Sequence, residues 1–164
     1  MQIMRARRGF SLIELLIVIA IILIIAAIAI PRLLHSKMAA NEASAVASLR
    51  TIATVHITYD STYRQGYAPN LAALAPPPAG TPPSASAAGL IDPVLASGTK
   101  SGYTFFYNPV DSNGDGRFEA YTVNANPLIP NQTGQRYFFV DQTNVIRFNI
   151  GSAASAGSQP VPAN

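Results

Sequence analysis

One acidic residue, Glu14, stands inside a long apolar run. Between residues 10 and 30, Ser11 and Glu14 are the polar residues, and all the others are apolar. A charged side chain near the centre of a bilayer costs roughly 3 kcal/mol on insertion scales. A carboxylate at this place therefore predicts a positively charged partner, and the alternative is a charge tolerated at the edge of a membrane span.

A second group of oxygen-bearing side chains lies in the C-terminal half. Carboxylate and amide side chains occur at the first, third, fifth and ninth positions of one short segment: Asp111, Asn113, Asp115 and Glu119. With Gly116 in sixth place, this spacing resembles the first half of a calcium loop, because calcium takes six to eight oxygen ligands. The twelfth position is Thr122 instead of a bidentate glutamate. Calcium is the candidate cofactor, and a β-turn built on Asn-Gly and Asp-Gly is the alternative.

The two histidines and the absent cysteines argue against other site chemistry. His35 and His56 do not have the spacing of a zinc pair, and the chain has no cysteine for thiolate ligands or thiol catalysis. No Gly-x-Ser-x-Gly segment is present for a nucleophilic serine. We expect His56 to be a packed and hydrogen-bonded residue, and we expect the protein not to be an enzyme.

The apolar run is long enough to cross a membrane. About 20 apolar residues span the hydrocarbon core as a helix, since no backbone group there can remain unpaired. Arg5, Arg7 and Arg8 precede the run. Because lysine and arginine are retained on the cytoplasmic side, they predict a cytoplasmic N-terminus.

The start of this run resembles a known processing motif. The segment Arg8-Gly9-Phe10-Ser11-Leu12-Ile13-Glu14 is similar to that of type IV pilins and type II secretion pseudopilins. The resemblance implies that a prepilin peptidase/methyltransferase cuts after Gly9 and methylates the new Phe10 amine. It also implies that Glu14 pairs with the Phe10 amine of a neighbouring subunit. Physically, an ammonium and a carboxylate that are each costly in an apolar filament core offset one another when paired.

The remaining pattern predicts an α+β pilin-like fold. A long N-terminal helix, with a transmembrane half and an amphipathic half, is packed under a small antiparallel sheet of about four strands. The predicted segments are the leader peptide 1–9, the membrane or filament-core helix 10–31, the amphipathic half-helix 32–64, a loop region 65–102 with short helical turns and a mobile proline-rich part, the β-region 103–150, and a disordered tail 151–164.

Pro31 interrupts the helix pattern. A proline removes one backbone hydrogen bond and kinks a helix. The family commonly has a proline here, in a segment that loses helical structure during assembly, and often a glycine about eight residues earlier. This chain has Leu23 at that place, so local melting rests on Pro31 alone.

Charge and class set the expected partners. Removal of the three leader arginines leaves eight basic and eight acidic residues, so net charge does not indicate nucleic acid. The expected partners are the peptidase, identical or related subunits in a helical filament, and the inner-membrane assembly machinery. The precursor is expected in the bacterial inner membrane with one span, and then in a pilus or a periplasmic pseudopilus. A pilus subunit, a secretion pseudopilin, and a calcium-binding or adhesive domain tethered by one span remain alternatives.

Overall fold

The computed structural model describes residues 9–162. The chain divides into two units, with the boundary between Ser36 and Lys37. Helix α1, Leu12–Tyr63, runs through this boundary. The predicted leader lies outside the described residues except for Gly9.

In the first unit, residues 9–36, the structure consists of the start of α1. Ser11 immediately precedes the helix, and Pro31 lies inside it. The large apolar side chains are exposed: Leu12 is 80% exposed, Leu23 67% and Leu33 69%. By its length and composition, α1 qualifies as a membrane-spanning helix.

In the second unit, one face of α1 contributes to a closed core. Leu49, Ile52 and Tyr59 are buried on the helix at spacings of three and seven residues, which places them on one side of the helix. The helix ends at Tyr63, and Arg64 follows with a positive φ of 54°. Two short helices come next, a 3₁₀ helix at Leu71–Leu74 and α2 at Pro93–Ala96.

Each short helix begins at a side-chain cap. The Asn70 side chain accepts a hydrogen bond from the Ala73 N–H at 2.8 Å, and the Asp92 Oδ1 accepts one from the Leu95 N–H at 2.9 Å. Both caps satisfy backbone donors that a helix start leaves without partners.

The sheet has six antiparallel strands in the order of the chain. They are β1 Thr99–Lys100, β2 Tyr103–Val110, β3 Ala120–Pro127, β4 Arg136–Asp141, β5 Arg147–Ile150 and β6 Gln159–Pro160. The α+β class and the antiparallel sheet are confirmed, while the number of strands is six instead of about four. The two additional strands have two residues each, which is too short for an alternating pattern to be visible in the sequence.

Strand β3 is the centre of the sheet's buried face. Alternate residues along it are buried, beginning with Tyr121, Val123 and Ala125, as expected when one face of a sheet covers a core. Phe138 of β4 and Tyr103 of β2 extend this face, and each is 0% exposed. The sheet thereby supplies the apolar partner of the helix face.

The prediction of a disordered tail at 151–164 is wrong for its described part. Ala154 is buried, and its carbonyl accepts a hydrogen bond from the Asn124 Nδ2 at 2.8 Å. Strand β6 pairs with β5, and the Val161 N–H donates to the Ile146 carbonyl at 2.8 Å. Composition alone indicated disorder, but backbone hydrogen bonds to the sheet fix a segment that has few side chains to pack.

Candidate functional site

The predicted cleavage site lies immediately before α1. Phe10 is 79% exposed. A Cβ added to Gly9 would meet no atom within 4 Å. The peptide between the two residues is therefore accessible within the described part of the chain.

Glu14 is placed in the first turn of α1. Its Oε2 accepts a hydrogen bond from the Ser11 N–H at 2.8 Å. With Ser11 as the N-cap and Glu14 at the third helical position, this is the glutamate half of a capping box. The carboxylate also lies at the positive end of the helix dipole. Glu14 thus has a structural role within one chain. An experiment must therefore distinguish this capping role from a role in assembly.

Pro31 lies within the assigned bounds of α1. Because proline has no N–H, the carbonyl of Ala27 lacks its usual helical partner. The helix continues on both sides of the proline. Melting of this segment during assembly stays a prediction.

The β2–β3 loop brings three of the four predicted calcium ligands together. One carboxylate oxygen each from Asp111, Asp115 and Glu119 lie within 4.8 Å of one another. Three carboxylates this close repel each other, and a bound cation would relieve the repulsion.

The same loop forms many hydrogen bonds of its own. Asp111 accepts from the backbone N–H groups of Gly114 at 2.7 Å and Gly116 at 2.9 Å. These bonds hold the pKa of Asp111 below its ordinary value, and the bond from Gly116 has the largest effect on that pKa. Asn113 bonds to Asp115 through both its amide oxygen and its amide nitrogen. This network is what an ordinary turn needs, so calcium binding stays a prediction.

An ion pair that the sequence analysis missed joins the helix to the sheet. Glu42 is 8% exposed, and its Oε2 lies 2.7 Å from the Nε of Arg136. Its Oε1 accepts from the N–H groups of Gln135 at 2.8 Å and Arg136 at 3.1 Å. Burial would raise the pKa of Glu42, but these hydrogen bonds and the guanidinium hold it below its ordinary value. In the sequence, the sign of this buried role is that Glu42 lies seven residues before Leu49 and therefore on the apolar face of the helix.

A cluster of aromatic rings surrounds His56. The imidazole lies 5.2 Å from the ring of Tyr107, 4.4 Å from that of Tyr121 and 5.5 Å from that of Tyr67. It is 0% exposed. Packing was expected for His56, but the expected hydrogen bond was wrong: neither ring nitrogen has a hydrogen-bond partner among the described residues. Burial among these rings lowers the pKa of His56 to about 4.

Comparison with known proteins first defines a class. Residues 4–30 match the family described as the prokaryotic N-terminal methylation motif. This match covers the candidate cleavage site, Glu14 and the apolar part of α1. The match is confined to this segment, so it describes the N-terminal motif and not the C-terminal unit.

A relative then indicates the family more closely. The chain is 45% identical over 71 residues to the "Type IV wide pilus major component PilA4" of Thermus thermophilus. The aligned part is 43% of this chain, and it spans about half of the relative's length, 53%. No solved structure matches significantly. The motif and the relative together support the type IV pilin and pseudopilin family, as the sequence resemblance predicted.

Proposed function

We propose that the chain is the precursor of a structural subunit of a type IV pilus. The observation that supports this proposal is the methylation motif at residues 4–30, which extends into a helix whose apolar side chains are exposed along residues 12–34. Exposed apolar surface of this extent requires a membrane or neighbouring subunits. In the membrane it forms the single span, with the N-terminus in the cytoplasm. In the filament it forms the core.

Processing prepares the subunit for assembly. A prepilin peptidase/methyltransferase cleaves after Gly9 and methylates the Phe10 amine. Glu14 then binds the Phe10 amine of the neighbouring subunit, while Pro31 gives the helix a place to bend as the assembly machinery extracts it. Glu14 has the capacity for this contact, because its Oε2 caps the helix and its Oε1 makes no hydrogen bond to the described residues.

Mass spectrometry of the mature N-terminus tests this proposal. The expected product begins with methylated Phe10. The Gly9→Val variant should retain Met1, and because open space surrounds Gly9, this loss of cleavage is a failure of peptidase recognition and not of folding. An intact Met1 in the natural product would contradict the proposal and favour a domain tethered by one span.

A secretion pseudopilin is the second candidate. It shares the same N-terminal processing, so mass spectrometry does not separate the two. Immunogold electron microscopy does, since a pilus subunit is found in fibres on the cell surface and a pseudopilin remains in the periplasm. The relative named as a pilus component favours the pilus.

For the loop Asp111–Glu119 we propose calcium binding. The supporting observation is the 4.8 Å grouping of oxygens from Asp111, Asp115 and Glu119. Hard oxygen ligands suit calcium, and exposed sites with three carboxylates bind it weakly, in the range of about 0.1–1 mM. The subunit has no proposed catalytic function.

A further inference from the structure

A cavity between the helix and the end of the sheet is lined by two arginines. It has a volume of about 330 Å³, and Arg50 and Arg136 line it together with Val46 and Val161. Arg50 lies on the exposed side of α1 and makes no side-chain hydrogen bond or ion pair among the described residues. Two guanidinium groups beside apolar walls favour an anionic group that is carried by another molecule.

Arg136 is held in place for such a contact. Its Nε is fixed by Glu42 at 2.7 Å, and its guanidinium lies over the rings of Phe138 and Phe148 at 5.5 and 5.7 Å. Its two terminal nitrogens make no hydrogen bond to the described residues, and the side chain is 37% exposed. Because the planar guanidinium is already fixed through its Nε, its side chain loses little conformational entropy when the terminal nitrogens bind a ligand.

The complementary charge lies elsewhere in the same unit. The loop Asp111–Glu119 carries three carboxylates and one arginine, Arg117. Residues 112–117 are exposed, and Asp115 lies near the tip of the loop. A second cavity is lined by Asp115 and Glu119 of the loop and by Asp60 of α1, together with Arg117. Because the carboxylates of the loop and Asp60 outnumber this one guanidinium, the group carries a net negative charge.

The acidic loop and the arginine cavity are separated along the helix. Arg50 and Asp60 are ten residues apart, which corresponds to about 15 Å at 1.5 Å per residue. A contact between two different patches on identical copies is heterologous, and it extends into rings or helical filaments instead of closing as a dimer.

We propose that the Arg50–Arg136 cavity receives the Asp111–Glu119 loop of a second copy of this chain. Asp115 provides the carboxylate nearest the loop tip, and Val46 and Val161 form the apolar wall. The contact rests on the proposed filament function and adds to it a specific contact between the C-terminal units of neighbouring subunits.

Cysteine cross-linking in filaments tests the contact, because the chain has no native cysteine. Filaments of the Ala47→Cys, Ser112→Cys double variant keep every charge of the contact, because Ala47 lines the cavity and Ser112 is an exposed loop residue. They are oxidised in the presence of a chelator, since a cation on the loop would neutralise its charge. We expect disulfide-linked dimers and higher species. The matched control joins Ser112→Cys to Thr58→Cys, an exposed position farther along the same helix, and it should give at least fivefold less cross-linked product.

Charge exchange provides an independent measurement. Arg50→Glu alone and Asp115→Arg alone should each lower the filament yield about tenfold, and the double variant should restore it. Both positions are exposed, so cooperative thermal melting of each variant in the presence of the chelator should show that it is still folded. The wild type should form filaments. If the double-cysteine variant then gives no cross-links and the charge-exchange double variant does not restore the yield, the contact is overturned and the pilus proposal stands. Absence of wild-type filaments would overturn both.

Discussion

Helix α1 has two parts that differ in where their apolar side chains go. In residues 12–34, Leu12 and Leu33 are 80% and 69% exposed, whereas Leu49 and Ile52 are 0% exposed in the second unit. The first part needs an apolar surrounding supplied from outside the chain, and the second part is satisfied by the sheet. Substitutions in the two parts should therefore change different measurements: assembly for the first and unfolding for the second.

The tyrosines make this separation measurable. All seven tyrosines lie between residues 59 and 137, and the chain has no tryptophan. Intrinsic fluorescence and near-ultraviolet circular dichroism of tyrosine therefore report on the second unit alone. Membrane insertion and filament yield report on the first.

The largest expected effect is the loss of filaments in Glu14→Ala. The variant removes the carboxylate that we propose to pair with the Phe10 amine of the neighbouring subunit, so filaments should be absent by electron microscopy. Insertion should persist, because an apolar residue in a span costs less than a charge. The melting temperature of the tyrosine signal should not change.

Glu14→Gln separates assembly from helix capping. Glutamine also serves at the third helical position of a capping box, so it keeps a bond to Ser11 but has no charge. We expect this variant to lose filaments as Glu14→Ala does. Normal filaments from Glu14→Gln would show that capping, and not charge pairing, is the role of Glu14.

The second effect concerns the ion pair that ties the helix to β4. Breaking a buried pair costs roughly 3–5 kcal/mol, and the partial exposure of Arg136 lowers the estimate for Glu42→Ala to about 2–3 kcal/mol. Urea unfolding of the full chain in detergent, followed by tyrosine, measures this change. The control Thr51→Ala, at an exposed position of the same helix, should stay within about 0.5 kcal/mol of the wild type.

The third effect is a loss of stability in acid through His56. Its pKa falls to about 4 in the folded protein, against about 6.5 in an unfolded chain. The unfolded state thus binds a proton first as the pH drops. Stability should be complete above pH 6.5 and decrease down to about pH 4, with a total loss of about 3 kcal/mol. Burial raises the pKa values of the facing Tyr107 and Tyr121, so they remain neutral in this range.

His56→Phe tests this assignment because phenylalanine keeps a ring in the cluster without a titrating group. Its unfolding free energy should change little between pH 6.5 and 4.5. Loss of stability below that range is expected from Glu42, whose lowered pKa makes its contribution decline as the carboxylate is protonated. An unchanged acid slope between pH 6.5 and 4.5 in His56→Phe would refute the role of His56.

The sequence predicted those features that depend on local patterns. The apolar run, the four longer strands and the short helical turns of residues 65–102 have periodic or turn signals within about ten residues. The Glu42–Arg136 pair joins residues 94 positions apart, and no local pattern encodes such a distance. The tail was also missed, because its order comes from backbone bonds to β5 and to Asn124.

The His56 cluster shows a further limit of sequence reasoning. Spacing along α1 placed the histidine on the apolar face, and from chemistry a buried imidazole was expected to be hydrogen-bonded. The three surrounding tyrosines come from β2, β3 and the loop after the helix. Two of their hydroxyl groups bond elsewhere: Tyr107 donates to the Ala68 carbonyl and Tyr121 to the Asn144 Oδ1. Such directions are fixed by the assembled core.

The smallest expected effect is that of calcium on the β2–β3 loop. For a dissociation constant of about 1 mM, 10 mM calcium should stabilise the second unit by about 1.4 kcal/mol, or about 5 °C in melting temperature. Magnesium at the same concentration is the control, because it requires stricter octahedral geometry than this exposed loop imposes. Glu119→Gln should remove the calcium-dependent shift in melting temperature. It keeps a side-chain oxygen that can accept the hydrogen bond from the Ser112 N–H, which Glu119 accepts at 2.9 Å. An identical melting temperature with and without calcium would mean that the loop is a turn whose carboxylates serve their own backbone. In that case its charge would remain fully available to the arginines of a neighbouring copy.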